Sequence, residues 1–387
     1  MEVAECAESL IKGEVDEKPP SINTKTYNFK KQFYSDISLR EWNDWKWQFK
    51  NRITTLEKLK RITRLSHNEE SAFLNSKYIL PFAVTPYYMS LIYDNKLRST
   101  MIPTCNEFIQ GNNESDDPLS EDLTSPCEGI VHRYPDRALF LTTGICSSYC
   151  RFCTRSRAVG NHQTINIANW DESINYIRKT PQIRDVILSG GDPLTLSNEH
   201  LEYLLKSLRN IPHIEIIRIG TKIPVVLPQR ITPTLVKMIS KYHPVYMSVH
   251  FTHPDECTIE NKNACDMLAN AGIVLGSQTV LLKGINNDIE TMKSLMHKLL
   301  IRRVRPYYIY QCDPITGSAH FRTKVQDGID IIKGLRGHTS GYAIPSFVID
   351  APGGGGKIPI NPDFFNYSNN KVEMTNFQNK NFVYQEI

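Results

Sequence analysis

Several features are scarce in this 387-residue sequence, and each scarcity excludes a class of protein. No stretch approaches the length of a membrane span, and the N-terminus MEVAECAESLIKGEVDEKPP has no apolar run of signal-peptide length. The 45 basic and 41 acidic residues are spread along the chain, so the sequence predicts no basic patch that would bind nucleic acid. We therefore expect a cytoplasmic protein with neither a membrane nor a nucleic-acid partner.

A disulfide framework is also not expected. Nine cysteines are an odd number, and the chain is far larger than disulfide-stapled scaffolds. This favours reduced thiols, with metal ligation as one use for them. Three of the nine cysteines stand close together in the sequence.

The sequence divides into four parts by composition. Residues 1–30 are polar and are expected to be poorly ordered and flexible, and residues 31–128 form an N-terminal helical region. That region ends in the polar stretch 112–128, which is typical of a linker or surface loop. The main domain spans residues 129–357, and a short C-terminal segment covers 358–387. Trp42, Trp45 and Trp47 in the helical region are interpreted as packing residues rather than ligand-stacking ones.

From Arg137 onward, short β-branched runs alternate with helical patterns. This alternation indicates an α/β fold with a parallel sheet, and the pattern leaves open a doubly wound sheet or a (βα) barrel. In both, ligands gather beyond the C-terminal ends of the strands. The predicted strands are 138–143, 185–189, 215–220, 245–251, 273–282, 306–311 and 346–349, and the predicted helices are 170–179, 200–208, 233–241, 259–271 and 288–300.

Directly after the first predicted strand come Cys146, Cys150 and Cys153, at C-x3-C-x2-C spacing. Three thiolates on one short loop can hold three irons of a [4Fe–4S] cluster and leave the fourth iron open. The alternative is a zinc knuckle, but a closed zinc site needs four ligands, and no fourth cysteine or histidine follows at a usual spacing.

This motif resembles that of the radical S-adenosylmethionine (SAM) superfamily. The resemblance implies a partial (βα)6 barrel, a [4Fe–4S] cluster on the three cysteines, and SAM bound to the open iron. The run Ser189, Gly190, Gly191 and Asp192 at the end of the second strand is similar to the glycine-rich loop of that superfamily, whose backbone meets the methionine part of SAM.

A second informative motif is DAPGGGGK, residues 350–357. A phosphate-binding P-loop would need glycine where Ala351 stands and serine or threonine where Ile358 stands, so nucleotide hydrolysis is not expected. A lysine on a glycine arm can instead form an imine with an aldehyde cofactor. The alternative for Lys357 taken alone is an ordinary exposed loop lysine.

Over residues 31–386 the chain resembles the lysine 2,3-aminomutase family. The segments that carry this resemblance are EWNDWKWQFKNRI, TPYYMSLI, HRYPDR, CSSYCRFCTR, RDVILSGGD, KIPVVLPQRIT, RVRPYYIYQCD, HFRT, LRGHTSGY and DAPGGGGK. The implied activity is an isomerase reaction, a 1,2-amino shift that interconverts L-lysine and L-β-lysine with the cluster, SAM and pyridoxal 5′-phosphate (PLP) as cofactors.

The resemblance also implies roles for individual residues. Lys357 is the PLP Schiff-base residue, and the PLP is held by Arg133, Tyr134 and Arg137, with Tyr310 and Gln278 lining its pocket. Arg155 pairs with the substrate carboxylate. Asp313 and Asp350 face the side-chain ammonium, which suits a cation that must be paired in a water-poor site.

Two alternatives to lysine turnover stay open. One is a 2,3-aminomutase for arginine or ornithine, and the other is a non-catalytic iron–sulfur or zinc scaffold. A reducing protein such as flavodoxin or ferredoxin is the expected electron donor, and a homo-oligomer is compatible with the family.

The sequence departs from the family pattern at several positions. Phe152 stands where the well-known lysine enzymes have a histidine, and Ser156 replaces an arginine. The cysteine trio that binds structural zinc in the clostridial-type enzyme is absent, and Asp288 occupies the position of its partner cysteine. No structural zinc is predicted. Residues 314–319 also differ, which leaves the accepted side-chain length open.

Overall fold

A computed structural model describes residues 22–75, 80–160, 167–368 and 371–385. Its N-terminal part is built from short helices that begin at polar capping side chains. Ser38 and Ser66, for example, each form a capping box with a glutamate three residues later. These helices are α1 (Thr24–Phe33), α2 (Leu39–Trp42), α3 (Trp45–Lys50), α4 (Leu56–Lys60), α5 (His67–Leu74) and α6 (Pro86–Ile92).

The main body is a nine-stranded sheet whose strands lie in sequence order. The seven strands β2 to β8 run parallel, and β1 and β9 pair antiparallel at the two ends. The strands are β1 (Ile130–Tyr134), β2 (Arg137–Thr143), β3 (Asp185–Gly190), β4 (Ile216–Thr221), β5 (Val245–His250), β6 (Val274–Leu281), β7 (Arg305–Gln311), β8 (Ser346–Ala351) and β9 (Gly356–Pro359).

A helix follows each of the first six parallel strands and returns the chain to the next one. Six βα units therefore precede the seventh parallel strand, which agrees with the predicted partial (βα)6 barrel. The helices are α7 (Trp170–Lys179), α8 (Asn198–Arg209), α9 (Ile223–Val226), α10 (Pro233–Ile239), α11 (Ile259–Asn270), α12 (Ile289–Ile301) and α13 (Val325–Leu335), with α9 and α10 both between β4 and β5.

Alternation along the strands separates two faces of the sheet. Val186 and Leu188 of β3 are fully buried under the helices, whereas Ile187 and Ser189 are half-buried on the concave side. The helices complete the outer layer with periodic leucines, as Leu201, Leu204, Leu205 and Leu208 of α8 show. The concave side is thus left for polar side chains at the strand ends.

The aromatic residues of the N-terminal region pack as predicted. Trp42 is fully buried, and its ring lies 6.4 Å from Phe29 and 5.8 Å from Trp47. Residues 1–21 of the predicted flexible N-terminus lie outside the described residues. The expectation fails for the end of that segment, because α1 covers Thr24–Phe33 and buries Phe29.

The polar stretch 112–128 lies against the main body. Ser115 donates its backbone N–H to the Pro314 carbonyl at 2.9 Å, and Glu121 is buried. In the C-terminal segment, β10 (Phe365–Ser368), β11 (Lys371–Thr375) and β12 (Asn381–Gln385) form a separate antiparallel sheet. The proposed domain boundaries stay predictions.

Candidate active site at the strand ends

The cysteine loop follows β2 and packs against the glycine loop that follows β3. A Cβ on Gly190 would stand 2.3 Å from the Thr143 carbonyl oxygen, and one on Gly191 would stand 2.3 Å from that of Ile145. Gly190 also has φ of +123°, which a residue with a side chain rarely adopts. The glycine pair is therefore required for close contact between the two loops, a role that sequence reasoning assigned only to SAM.

The three clustered thiols are half-buried on this loop and largely removed from water. Burial raises the pKa of the Cys150 thiol to about 12, and it raises the pKa of Cys146 and Cys153 as well. The negative charge that neighbouring thiolates would carry raises the pKa of Cys146 and Cys150 further. Positive iron ions would offset both effects, so the donor set suits a cluster.

The loop also presents a free polar atom. Ser147 Oγ is buried and has no hydrogen-bond partner within the described ranges, as expected where a bound group completes the site. Among the same residues, no three His, Cys, Asp or Glu side chains converge as they would around a single metal ion. A cubane cluster does not need that convergence, because each thiolate ligates a different iron.

Two arginines, one on each side, join the cysteine loop to the N-terminal region. Arg52 Nη1 donates to the Cys146 carbonyl oxygen at 2.7 Å. Arg151 is buried, forms an ion pair with Glu107 and donates to the Leu80 carbonyl at 3.0 Å. These contacts fix the backbone, which is what a loop carrying three ligands needs.

Asp192 joins the loops after β3 and β4. Its carboxylate accepts from Thr221 Oγ1 and from the Lys222 backbone N–H, both at 2.7 Å, and from the Leu194 N–H at 3.1 Å. Burial nevertheless raises its pKa above the ordinary aspartate range. With these donors present, Asp192 organises the loops, and its predicted contact with SAM stays a prediction.

The glycine arm brings Lys357 to the same end of the barrel. β8 and β9 pair so that Asp350 lies opposite Lys357, and Lys357 Nζ lies 3.1 and 3.2 Å from the two Asp350 oxygens. The ammonium also lies 5.5 Å from the centroid of the Tyr310 ring. Tyr134 Oη accepts the Lys357 backbone N–H at 2.8 Å, and a Cβ on Gly356 would stand 2.8 Å from that oxygen.

The arginines predicted to hold PLP lie beside this arm. Arg133 donates Nη2 to the Leu119 carbonyl, while its Nε is buried without a hydrogen-bond partner among the described residues. That Nε would be 3.8 Å from a Cβ on Gly354, so an unpaired donor faces the arm, as a phosphate site requires. Arg137 lies 4.8 Å from the Tyr134 ring centroid and pairs with Asp136 at 3.0 Å.

Asp313 lies close to the Asp350–Lys357 pair. Burial and the negative charge of Asp350 raise the pKa of Asp313 to about 6, against the opposing effects of Thr154, Lys357 and Arg155. Thr154 Oγ1 donates to Asp313 Oδ2 at 3.0 Å. The two predicted aspartates thus lie within electrostatic reach of each other and of one ammonium group.

Arg155 has a partner that sequence reasoning missed. Its Nε and Nη2 donate to the two Glu121 oxygens over 2.7 to 3.1 Å. Burial alone would raise the pKa of Glu121, but Arg155 brings it below the ordinary value. No signal within the polar stretch 112–128 distinguishes Glu121 from its acidic neighbours.

His250 and Lys222 are two further site residues that the sequence analysis did not name. Burial, together with the Lys222 and Arg155 cations, lowers the pKa of His250 to about 3, so its imidazole is neutral. His250 ends β5 and pairs in register with Gln278 of β6, which in turn pairs with Tyr308. Position at a strand end was the signal that would have found it. Lys222 pairs with the buried Glu256 at 2.9 Å.

Comparison with known proteins decides the family. The chain is 52% identical to L-lysine 2,3-aminomutase of Fusobacterium nucleatum over 93% of this chain and 86% of the relative. It is 51% identical to L-lysine 2,3-aminomutase of Clostridium subterminale, over 93% and 88%. This chain belongs to the lysine 2,3-aminomutase family.

Two family models support the assignment. The lysine-2,3-aminomutase model matches residues 332–387, and the radical SAM superfamily model matches residues 140–296, which include all three clustered cysteines and the glycine loop. The chain is therefore an isomerase-type enzyme of the radical SAM superfamily, and a [4Fe–4S] cluster and SAM follow from that membership. A glutamate 2,3-aminomutase of Clostridioides difficile is also similar, at 45% identity over 84% of this chain and 78% of the relative.

Two of the departures from the family pattern, Phe152 and Asp288, have local structural roles. Phe152 packs edge-to-face on Phe321, with centroids 5.9 Å apart, so this position is occupied by an aromatic contact. Asp288 caps α12 by accepting the Thr291 N–H at 2.8 Å.

No helix within the described ranges is long and apolar enough to cross a membrane.

Proposed function

We propose that this enzyme interconverts L-lysine and L-β-lysine by moving the amino group between the α and β carbons. The observation that carries the proposal is an alkylammonium that pairs with Asp350 and acts electrostatically on Asp313. Lys357 Nζ lies 3.1 Å from the Asp350 carboxylate, and its charge also acts on Asp313. That ammonium stands in for the side-chain ammonium of a lysine substrate, which has the same chemistry.

Family membership calls for three bound groups, and the residues present fit each of them. When bound, the cluster with SAM supplies a hydrogen-abstracting radical, and PLP supplies a π-system that stabilises nitrogen migration. In our proposal the thiols of Cys146, Cys150 and Cys153 bind the cluster, and the loop from Ser189 to Asp192 positions SAM.

Lys357 is the proposed attachment point for PLP. Its amine lies on an arm with three glycines at positive φ, Gly353, Gly354 and Gly356, a backbone that only glycine adopts readily. Arg133 supplies the unpaired donor for the phosphate, and Tyr134 holds the arm through the Lys357 N–H. Arg137, Tyr310 and Gln278 complete the proposed pocket.

The substrate is held at both ends in this arrangement. Asp313 and Asp350 bind the side-chain ammonium of the substrate. Arg155 binds the substrate carboxylate with guanidinium N–H groups that Glu121 leaves free or gives up. Burial of these groups excludes water, which strengthens each charge interaction and protects a reactive carbon. Two neighbouring carboxylates, Asp350 buried and Asp313 half-buried, would repel a glutamate side chain, so a glutamate substrate is disfavoured by charge.

We expect the reconstituted enzyme, given dithionite, SAM and PLP without oxygen, to convert lysine to β-lysine and to leave glutamate unchanged. Asp350→Ala should lower kcat/KM for lysine by roughly 10²- to 10³-fold, because removing one buried partner of a charge costs about 3–5 kcal/mol. Chromatography of derivatised β-amino acids measures both results.

Asp363→Ala, at an acidic residue beyond β9, is the matched control and should keep wild-type kinetics and iron content. Arginine or ornithine turning over faster than lysine would move the substrate assignment to the second candidate, whose larger or smaller cation the same two carboxylates can pair. Unchanged lysine kinetics in Asp350→Ala would contradict the assigned role.

The acidic limb of the pH profile is a second expected result. Asp313 must be ionised to bind an ammonium, and burial raises its pKa to about 6, so kcat/KM for lysine should fall as pH falls through about 6. Thr154→Ala removes the hydrogen bond that lowers this pKa, and should move the limb to higher pH. A limb at the same pH in both proteins would show that another group controls it.

A cytoplasmic location and a flavodoxin- or ferredoxin-type donor remain part of the proposal. The location rests on the sequence, and the donor rests on the need for one electron per reduced cluster.

A further inference from the structure

One segment of the chain, bounded by Asp44 before it and Glu69 after it, has a local excess of positive charge, contrary to the even spread expected from the sequence. Residues 45–64, here called the basic segment, contain seven of the 45 basic residues and one of the 41 acidic ones. The segment therefore has a net charge of +6, and the rest of the chain has a net charge of −2. Such a concentration in a nearly neutral protein creates a local positive field.

The basic side chains of this segment lie at the surface. It comprises α3, α4 and the turns beside them, and Arg52 is its one half-buried cation. Lys60 pairs with Glu70 at 3.2 Å, and Lys58 Nζ lies 3.4 Å from the Arg52 carbonyl. The exposed cations are Lys46, Lys50, Lys58, Lys60, Arg61 and Arg64.

The basic segment is joined directly to the cysteine loop. Arg52 Nη1 donates to the Cys146 carbonyl at 2.7 Å, and Ile53 forms a bridge with Val84. The neighbouring Ala83 carbonyl accepts the Tyr149 N–H at 3.0 Å. Lys50 and Lys58 flank this junction in the chain, so a molecule that docks on them approaches the loop that carries the cluster ligands.

We propose that the basic segment is the docking surface for an acidic one-electron carrier protein that reduces the cluster. The inference rests on the proposed function to the extent that a [4Fe–4S] cluster occupies the loop. In the transfer, the carrier is oxidised by one electron and the cluster is reduced by that electron, with no bond or proton exchanged. Nucleic acid also binds to positive charge, but its binding does not require a surface next to the cysteine loop, whereas electron transfer to the cluster does.

The test uses the holoenzyme and an acidic flavodoxin, with the triple variant Lys50→Glu, Lys58→Glu and Arg61→Glu. The matched control reverses three exposed lysines on outer helices, Lys179→Glu, Lys206→Glu and Lys237→Glu, and changes the net charge equally. Calorimetry at low salt measures the flavodoxin Kd, and stopped-flow absorbance measures cluster reduction without substrate.

We expect the basic-segment variant to bind flavodoxin at least about 10-fold more weakly, and its cluster to be reduced correspondingly more slowly. Charges that steer association change association rates by about 10-fold or more. The control triple should match wild type, dithionite should reduce all three proteins alike, and added salt should remove the difference. Lys50→Glu alone should give a smaller loss in the same direction, which guards against misfolding of the triple variant.

Equal flavodoxin binding by wild type and the basic-segment variant would overturn the proposal. A second contrary result would be a gel shift of duplex RNA or DNA with wild type and the control triple but not with the basic-segment variant. If flavodoxin still reduced the cluster of that variant at the wild-type rate, the surface would be assigned to nucleic acid. A change of oligomeric state in this variant alone would assign the surface to a second copy of the chain. Absence of β-lysine formation with dithionite would contradict the proposed function. The comparison of flavodoxin Kd values between wild type and the basic-segment variant would still test the docking surface.

Discussion

Replacing Lys357 by alanine is expected to abolish the aminomutase activity, with kcat reduced by roughly 10³-fold or more, the scale of losing one member of a catalytic set. The variant should also lose the visible absorbance of PLP bound as an imine, because no other amine lies on the glycine arm. Anaerobic assay of β-lysine formation and an absorbance spectrum measure the two effects. The cluster should be retained, because the cysteine loop does not depend on Lys357.

Two companion variants make this result specific. Lys357→Arg keeps a cation beside Asp350 but cannot form the imine, so it should be as inactive as the alanine variant. Lys371→Ala, on the C-terminal sheet, should behave as wild type. Activity above about a tenth of wild type in Lys357→Arg would show that the ion pair with Asp350, rather than covalent attachment, is what the lysine provides.

Replacing Cys150 by alanine should have an equally large effect for a different reason. The substitution removes one of three thiolates, so the chain should lose most of its iron, which in wild type is about four atoms per chain, and the brown colour. β-Lysine formation should fall to background, since the electron for SAM cleavage comes through this cluster. Iron analysis and electron paramagnetic resonance of the dithionite-treated protein measure the loss.

Cys105→Ala is the matched control, because Cys105 begins a short 3₁₀ helix outside the cysteine loop, where its backbone N–H and its thiol both donate to Asn68 in the N-terminal region. It should keep the full iron content and activity. A Cys150→Ala protein that retained a [4Fe–4S] signal would contradict the assignment of the ligands. Zinc in place of iron in the wild type would support the scaffold interpretation instead.

The regular elements of the barrel were predictable to within one or two residues at most ends. Helix α7 was predicted with its exact bounds, and β2 began one residue earlier than expected. Periodicity works here because each strand and helix buries one face under the other layer.

Other elements escaped prediction for identifiable reasons. Helix α13 contains Gly328 and Gly334, which weaken a helical pattern. A Cβ on Gly328 would stand 2.3 Å from the Phe347 ring, so packing against β8 requires the glycine. Strand β1 was missed because it is short and is followed at once by Pro135 in the turn to β2, which reads as loop.

The candidate site likewise contains residues that the sequence predicted and residues that it did not. The motifs supplied the candidate reactive groups, whose roles stay predictions, and in the structure Asp350 pairs with Lys357 while the charges of both act on Asp313. The partners of those groups were invisible in the sequence. Glu121 is 34 residues from Arg155, and neither His250 nor Lys222 belongs to a motif of reactive residues.

The sequence by itself determined the chemistry of this protein: three thiols at cluster spacing, an amine on a glycine arm, and two acidic residues at strand ends. Reactivity of this kind belongs to residue types and their short spacing along the chain. Only the tertiary structure decided which charges face each other, that Lys357 meets Asp350, that Arg155 meets Glu121, and that the basic segment lies against the cysteine loop. Coulomb interactions and burial depend on distance through space, and that distance is set by the packing of the whole barrel.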